Sequence, residues 1–192
     1  MLLPGQFGPA IPSLQLHLPN PQLAWSGGHL RPWELRDAPT LVRAWNDTEV
    51  ARWNPVPTEV TMRTAETWIK GCANRVASGS AIDLCIVAAH PDGDVVVGEV
   101  GLAGFDHERR GAQVGYWLLP EARGEGHASG AVSAFAKWAL GDLGLTVLVA
   151  RCHERNAASH AVAERAGFTK AGPDGTGHVL WARRAGESEV DN

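Results

Sequence analysis

The sequence predicts one α/β domain built on a mixed, mostly antiparallel sheet flanked by helices. Three observations lead there: two helix-period segments come early, the apolar period then shifts to that of strands, and the C-terminal half alternates strand with helix. The order is helices, an antiparallel hairpin meander, then strand, helix, strand, helix and strand, which is not the regular alternation of a doubly wound fold. The chain has 192 residues. That is the size of one ordinary domain, in which folding hides roughly 70% of the unfolded surface.

Residues 1–24 carry Pro4, Pro9, Pro12, Pro19 and Pro21 with little periodicity, and read as an extended arm. The domain proper covers 25–184, and 185–192 read as a solvated acidic tail. The run LRPWEL at 30–35 predicts a short edge strand, and Asp37 stands as an N-cap before a helix over about 38–46. The connection DTEVARWNPVP reads as a packed linker in preference to a substrate-contacting loop. A second helix over 61–79 sets Met62, Ala65, Trp68 or Ile69, Cys72 and Val76 on one face, with Gly79 as its stop.

After Gly79 the period becomes that of strands. AIDLCIVAAH, the turn PDGD at 91–94 and VVVGEVGLAGF read as a hairpin, and AQVGYWLL as a further strand ended by Pro120. GHASGAVSAFAKWALGDLG sets Ala128, Ala131, Val132, Phe135 and Trp138 or Ala139 at helical spacing. LTVLVARC reads as a buried strand, NAASHAVAERAGF as a short helix capped by Asn156 and closed by Gly167, and GHVLWARR as the last strand.

Composition excludes several classes. Seventeen basic residues against twenty-one acidic ones give a net charge of -4, which argues against a general binder of nucleic acid. Cys72, Cys85 and Cys152 form no CxxC pair and no disulfide framework, and no histidine pair has the spacing of a metal site. The first residues lack the basic region of a secretion signal, and no apolar run reaches the ~18 residues of a membrane span. The expectation is a cytoplasmic protein without metal.

The stretch most informative about chemistry is Arg123-Gly124-Glu125-Gly126-His127-Ala128, between a strand and an amphipathic helix. Glycines there allow a tight turn and leave backbone N–H groups bare, while the new helix adds unpaired N–H groups and the positive end of its dipole. Together these make an anion site suited to a pyrophosphate. Taken alone, the hexapeptide reads equally well as a flexible strand-to-helix turn.

With the motifs around it, the chain resembles the GNAT superfamily of acyl-CoA-dependent N-acyltransferases, in its RimJ/RimL-like branch. Arg123, Gly126 and Ala128 match the family's loop pattern, and GYWLLPEARG, LGL at 143–145, NAAS at 156–159 and AGF at 166–168 stand at the branch's spacings. The resemblance runs over about 30–181. It implies a GNAT-type domain with a central splay, in which 115–119, including Trp117, Leu118 and Leu119, hold the pantetheine arm and offer a backbone N–H to the thioester carbonyl. It further implies that Arg123, Gly124, Glu125, Gly126, His127 and Ala128 hold the pyrophosphate of acetyl-CoA, and that Asn156 and Ser159 reach the cofactor.

Two departures from the family pattern bear on mechanism. The usual glutamate two residues before the GYW run is Gln113, so the base is sought in Glu99 first, with Asp83, His107, Glu108 or a water chain ordered by Gln113 as alternatives. The tyrosine acid that many members carry falls at Ala163, and Ser159 remains as the donor to the departing thiolate. The function implied is transfer of an acetyl group to a primary amine, a protein N-terminus or a small molecule, with a second copy of the chain among the partners considered. The rival readings are a non-catalytic acyl-CoA-binding domain, a transferase of a larger acyl group such as succinyl, and a nucleotide-binding domain, the last weakened by the lack of GxxxxGK[ST].

Overall fold

A computed structural model describes residues 14–186. Eight strands form one sheet: β1 (Ala24–Trp25), β2 (Gly28–Pro32), β3 (Ala81–Ala88), β4 (Val95–Asp106), β5 (Gly111–Leu118), β6 (Val147–His153), β7 (Thr169–Pro173) and β8 (His178–Arg184), in the order β1-β2-β3-β4-β5-β6-β8-β7. Every neighbouring pair is antiparallel except β5 and β6, which run parallel. The helices are α1 (Ala38–Asn46), α2 (Thr48–Trp53), α3 (Met62–Ala77), α4 (His127–Leu140) and α5 (Ala157–Arg165).

Helices cover both faces of the sheet, which explains why β3 is buried along nearly its whole length and does not alternate. On one face α4 lays Ala131, Val132, Phe135 and Ala139 against Ile82, Leu84, Val100, Val114 and Leu148. Phe135 is fully buried and stacks on Trp138, with ring centroids 5.5 Å apart. On the other face α1 and α3 bring Leu41, Trp45, Ala65 and Ile69 onto Cys85, Val87, Trp117 and Leu119, and Trp33 packs among them. The arm joins the first face from residue 14 onward: Leu14, Leu16 and Leu23 pack on it and the His17 ring meets the edge of Trp138. The rest of the arm, 1–13, and the tail at 187–192 lie outside the described residues.

The helix over 61–79 forms as α3, capped by Thr61, whose hydroxyl accepts from Thr64 N, and stopped where Gly79 takes a φ of 71°. Three expectations are corrected. The strand at 30–35 is not at the edge: β2 stops at Pro32, and two-residue β1 lies outside it. Asp37 caps nothing in α1, because its carboxylate is drawn to Arg31 at 2.6 and 2.9 Å and to Glu34 N. The connection at 47–57 is not merely a linker, since 48–53 are helical, with Asp47 Oδ1 accepting from Val50 N at 2.9 Å. A further strand, β7, forms at TKAGP, between Gly167 and the last strand, where the sequence predicts no element.

A tight backbone approach sits where β4 meets the end of β5. A Cβ added to Gly98 would lie 2.2 Å from Trp117 O and 2.6 Å from Leu118 Cδ2, whereas one added to Gly115 would meet nothing within 4 Å. Gly98→Ala is expected to destabilise the domain by ~1–3 kcal/mol through overpacking. Gly115→Ala should be close to neutral for folding, and thermal melts of the two variants check the contrast.

Candidate active site

β5 and β6 pair at four positions only, Gly111↔Val147, Ala112↔Leu148, Gln113↔Val149 and Val114↔Ala150. Beyond these, β5 stays with β4 as far as Leu118 and β6 stays with β8 as far as His153. The facing edges therefore part, and their backbone polar groups lose the neighbour that would satisfy them. A cavity of about 540 Å³ passes through the parting, lined by β5, β6, α2, α5 and the start of α4.

At one rim the chain turns from β5 into α4. Gly124 and Gly126 take φ of 86° and 84°, and a Cβ on either would meet nothing within 4 Å. Gly126 is the N-cap of α4 and gives the first-turn N–H groups no side-chain partner. Bare amides, a helix dipole and open space coincide here, which suits a phosphate or another anion. Arg123 braces the turn: Nε and Nη2 donate to Leu118 O at 3.1 and 3.0 Å, and Nη2 donates to Asp47 Oδ1 at 2.5 Å. Burial opposes the charge on Asp47, yet the Val50 N–H and the Arg123 guanidinium hold its carboxyl below the usual range.

On the α4 and α5 face, Asn156 caps α5 through Oδ1, which accepts from Ser159 N at 3.0 Å. This places Ser159 in the first turn, looking at β5 and β6. Its Oγ donates to Cys152 Sγ at 3.1 Å and lies 3.0 Å from the Tyr116 hydroxyl, which also donates to Ser159 O at 2.9 Å. Burial pushes the Tyr116 hydroxyl above its ordinary pKa, so it stays a donor.

On the opposite face, Gln113 and Gly115 are exposed to the cavity, and α2 crosses above them. Trp53 of α2 packs against His153 of β6 at 5.0 Å between ring centroids, and His153 meets His178 of β8 at 5.2 Å. Glu49 holds Trp53 in place, accepting from its indole N–H at 2.9 Å.

Glu99 lies on this same face. It is in register with Trp117 on β5 and Cys85 on β3, and the next row along is Asp83, Gly101 and Gly115. Oε2 of Glu99 and Nε1 of Trp33 are out of solvent without hydrogen-bond partners. Burial, helped by the charge of Asp83, pushes the Glu99 carboxyl up to about 8, opposed in part by Trp117, Arg75 and Trp33. Asp83 is itself tied to Arg75 at 2.8 Å.

Of the residues singled out in the sequence, Gln113, Trp117, Leu118, Arg123, Gly124, Gly126, Ala128, Asn156 and Ser159 line the cavity. Leu119 is buried in the α1 and α3 core, and its N–H donates to Val97 O. Glu125 pairs with His127 at 3.2 Å behind the glycine turn, and neither lines the cavity. Glu99 stands one row of the sheet away from Gly115. The residues missed are those of α2, notably Trp53, together with Tyr116, Cys152, His153 and His178. Only the N-cap signal of Asp47 ahead of TEVARW could have exposed α2.

The acetyltransferase (GNAT) domain family matches residues 29–169. An uncharacterised N-acetyltransferase, p20 of Bacillus licheniformis, is 28% identical over 143 residues, covering 74% of this chain and 79% of that protein. Among solved structures, ribosomal-protein-S5-alanine acetyltransferase from Vibrio fischeri superposes with a TM-score of 0.72 at 20% identity, over 88% of this chain and 98% of that one. Mycobacterium smegmatis RimJ in complex with CoA-disulfide superposes with a TM-score of 0.71 at 23% identity, over 85% of this chain and 86% of that one. Among the described residues no helix is long and apolar enough to cross a membrane.

The buried carboxyl of Glu99 makes a test independent of activity. Its folded pKa lies near 8 against an ordinary 4.5, so the unfolded chain ionises first and stability falls as pH rises from about 4.5 to about 8. The full difference is on the order of 5 kcal/mol above pH 8, at ~1.4 kcal/mol per unit. Glu99→Gln should remove this slope. Denaturant unfolding of parent and variant at pH 5 and pH 8.5 measures it, and parallel losses in the two proteins would contradict the assignment.

Proposed function

We propose, from the premise that the chain belongs to the acetyltransferase (GNAT) family, that it transfers an acetyl group from acetyl-CoA to a primary amine by direct attack. The observation that carries this reading is the cavity through the parted strands, with the bare glycine turn and the α4 N-terminus at its rim. In this reading the turn at 123–128 takes the pyrophosphate, and the pantetheine arm lies between β5 and β6 against Trp117 and Leu118, with Leu119 anchoring the strand behind them. Glu125 and His127 stiffen the turn from behind. Asn156 holds the start of α5 against the thioester end of the arm.

The amine enters from the α2 face, over Gly115, where no side chain fills the space. A backbone N–H of the parted β5 stabilises the negative charge that grows on the thioester carbonyl. Gln113 has no basic lone pair and serves to order water. Glu99 receives the proton through that water, across the side-chain-free row formed by Gly101 and Gly115, which lies one pleat repeat or ~7 Å from Glu99 and one from Gln113. Its carboxyl, raised to about 8, suits proton transfer from an amine. Ser159 donates to the thiolate as the C–S bond breaks.

For the acceptor, a protein N-terminus is supported by the name of the S5-alanine acetyltransferase neighbour, and a small amine by the free space over Gly115. We place the protein in the cytoplasm, where its three unpaired thiols would stay reduced.

The deciding experiment is release of free thiol from acetyl-CoA and succinyl-CoA in the presence of peptides and small amines, with intact-mass detection of the acylated product. Acetylation of at least one amine is expected. Tight CoA binding with no turnover on any amine would favour a non-catalytic acyl-CoA-binding domain. Gly126→Val should weaken acetyl-CoA binding at least about tenfold, beyond the ~1–2 kcal/mol of stability lost to a left-handed backbone. Glu99→Gln should lower kcat about tenfold or more and abolish a rise in rate through an apparent pKa near 8, while acetyl-CoA affinity holds. An unchanged pH–rate profile would remove Glu99 from the proton path.

A further inference from the structure

The family's tyrosine acid has no counterpart at Ala163, which is fully buried on the inner side of α5. A phenol nevertheless reaches the same helix from the sheet, one turn earlier. Tyr116 extends from β5 on the α5 face, and its hydroxyl meets Ser159 twice, at the carbonyl oxygen (2.9 Å) and at Oγ (3.0 Å). Ser159 Oγ in turn directs its own hydrogen to Cys152 Sγ at 3.1 Å. All three side chains belong to residues lining the cavity where β5 and β6 part. Tyr116 is also the only tyrosine in the chain.

We infer that Tyr116 is a positioning residue for thiolate departure: by donating to Ser159 it fixes the serine oxygen at the thioester end of the cleft and leaves the serine hydrogen free to swing to the leaving sulfur. The inference rests on the acetyl-transfer reading above. A hydroxyl has one hydrogen to give and two lone pairs to accept with. The one hydrogen of Tyr116 is shared between Ser159 O at 2.9 Å and Oγ at 3.0 Å in a three-centre bond, which occupies one Oγ lone pair and leaves the Ser159 hydrogen to the Cys152 sulfur. As the N–C bond forms and the C–S bond breaks, the electron pair stays on the CoA sulfur. The Ser159 hydrogen then moves from the neutral Cys152 sulfur to the charged one, a stronger acceptor. No proton crosses through the tyrosine, which burial keeps protonated throughout. The neighbouring donor makes the serine a better donor in turn, because hydrogen bonds in a chain polarise one another.

The test is kinetic. Tyr116→Phe keeps the ring and removes only the hydroxyl. Its kcat for acetyl transfer should fall about threefold to tenfold, the worth of one neutral hydrogen bond, while the Kd for acetyl-CoA stays within about twofold. Y116F/S159A should be no slower than S159A alone, since the tyrosine acts through the serine. Full kcat in Y116F, a loss confined to Kd, or losses that multiply in the double variant would each overturn the inference. A parent that releases no thiol with any amine overturns the acetyl-transfer reading and this one with it. A parent that turns over beside an unimpaired Y116F overturns this one alone. The single tyrosine allows a second measurement should Y116F unfold: uniform 3-fluorotyrosine labels position 116 only. Its fluorine NMR line should shift on adding CoA and less on adding desulfo-CoA, and equal shifts or none would count against the serine-to-sulfur contact.

Discussion

The structure turns on the parting of one parallel strand pair. β5 and β6 share four register positions and then separate, each held on its outer side by an antiparallel partner. A sheet that stops pairing in its middle leaves backbone donors and acceptors with no neighbour, and in a folded domain such groups need water or a ligand. The neighbouring strands keep the gap open, since β4 and β8 are both paired along the lengths that part. Every proposed function of the cleft, from binding the extended pantetheine arm to presenting an N–H to a carbonyl, draws on those unpaired edges.

Around the parting, two helix N-termini and one short helix define directions of approach. α4 begins at a left-handed glycine and α5 at an asparagine that bonds its own third residue, so one end is left bare and the other is self-capped. The bare end suits a large anion and the capped end sets a hydroxyl in place. α2 is tied across to the same turn by the Arg123 to Asp47 pair, which links the helix above Gly115 to the glycine turn through one side chain. That ion pair is partly exposed, so its importance is geometric more than energetic.

Much of this was legible in the residues because it is local. Asn156 followed by Ser159 is a cap by spacing alone, and RGEGHA between a strand and an apolar-faced helix reads as a turn with bare amides. What was not legible depends on distant partners. Asp37 has the look of an N-cap, yet an arginine on β2 claims its carboxylate. The strand VVVGEVGL does not say whether Glu99 faces water, because α1 and α3 cover that face and strand alternation cannot report it. TEVARW is too short for a clear helical period, and TKAGP too rich in turn residues to read as a strand. Tyr116 and Ser159 are 43 residues apart, so only the fold brings them together.

The most direct measurement of the central claim is hydrogen exchange by mass spectrometry, with and without acetyl-CoA. Two segments, the β5 edge at 115–119 and the turn and first helical residues at 124–130, should gain protection together, because the bound thioester would supply partners to the amides that the parting leaves unpaired. Protection confined to other segments, or no protection at saturating acetyl-CoA, would contradict the assignment of the cleft.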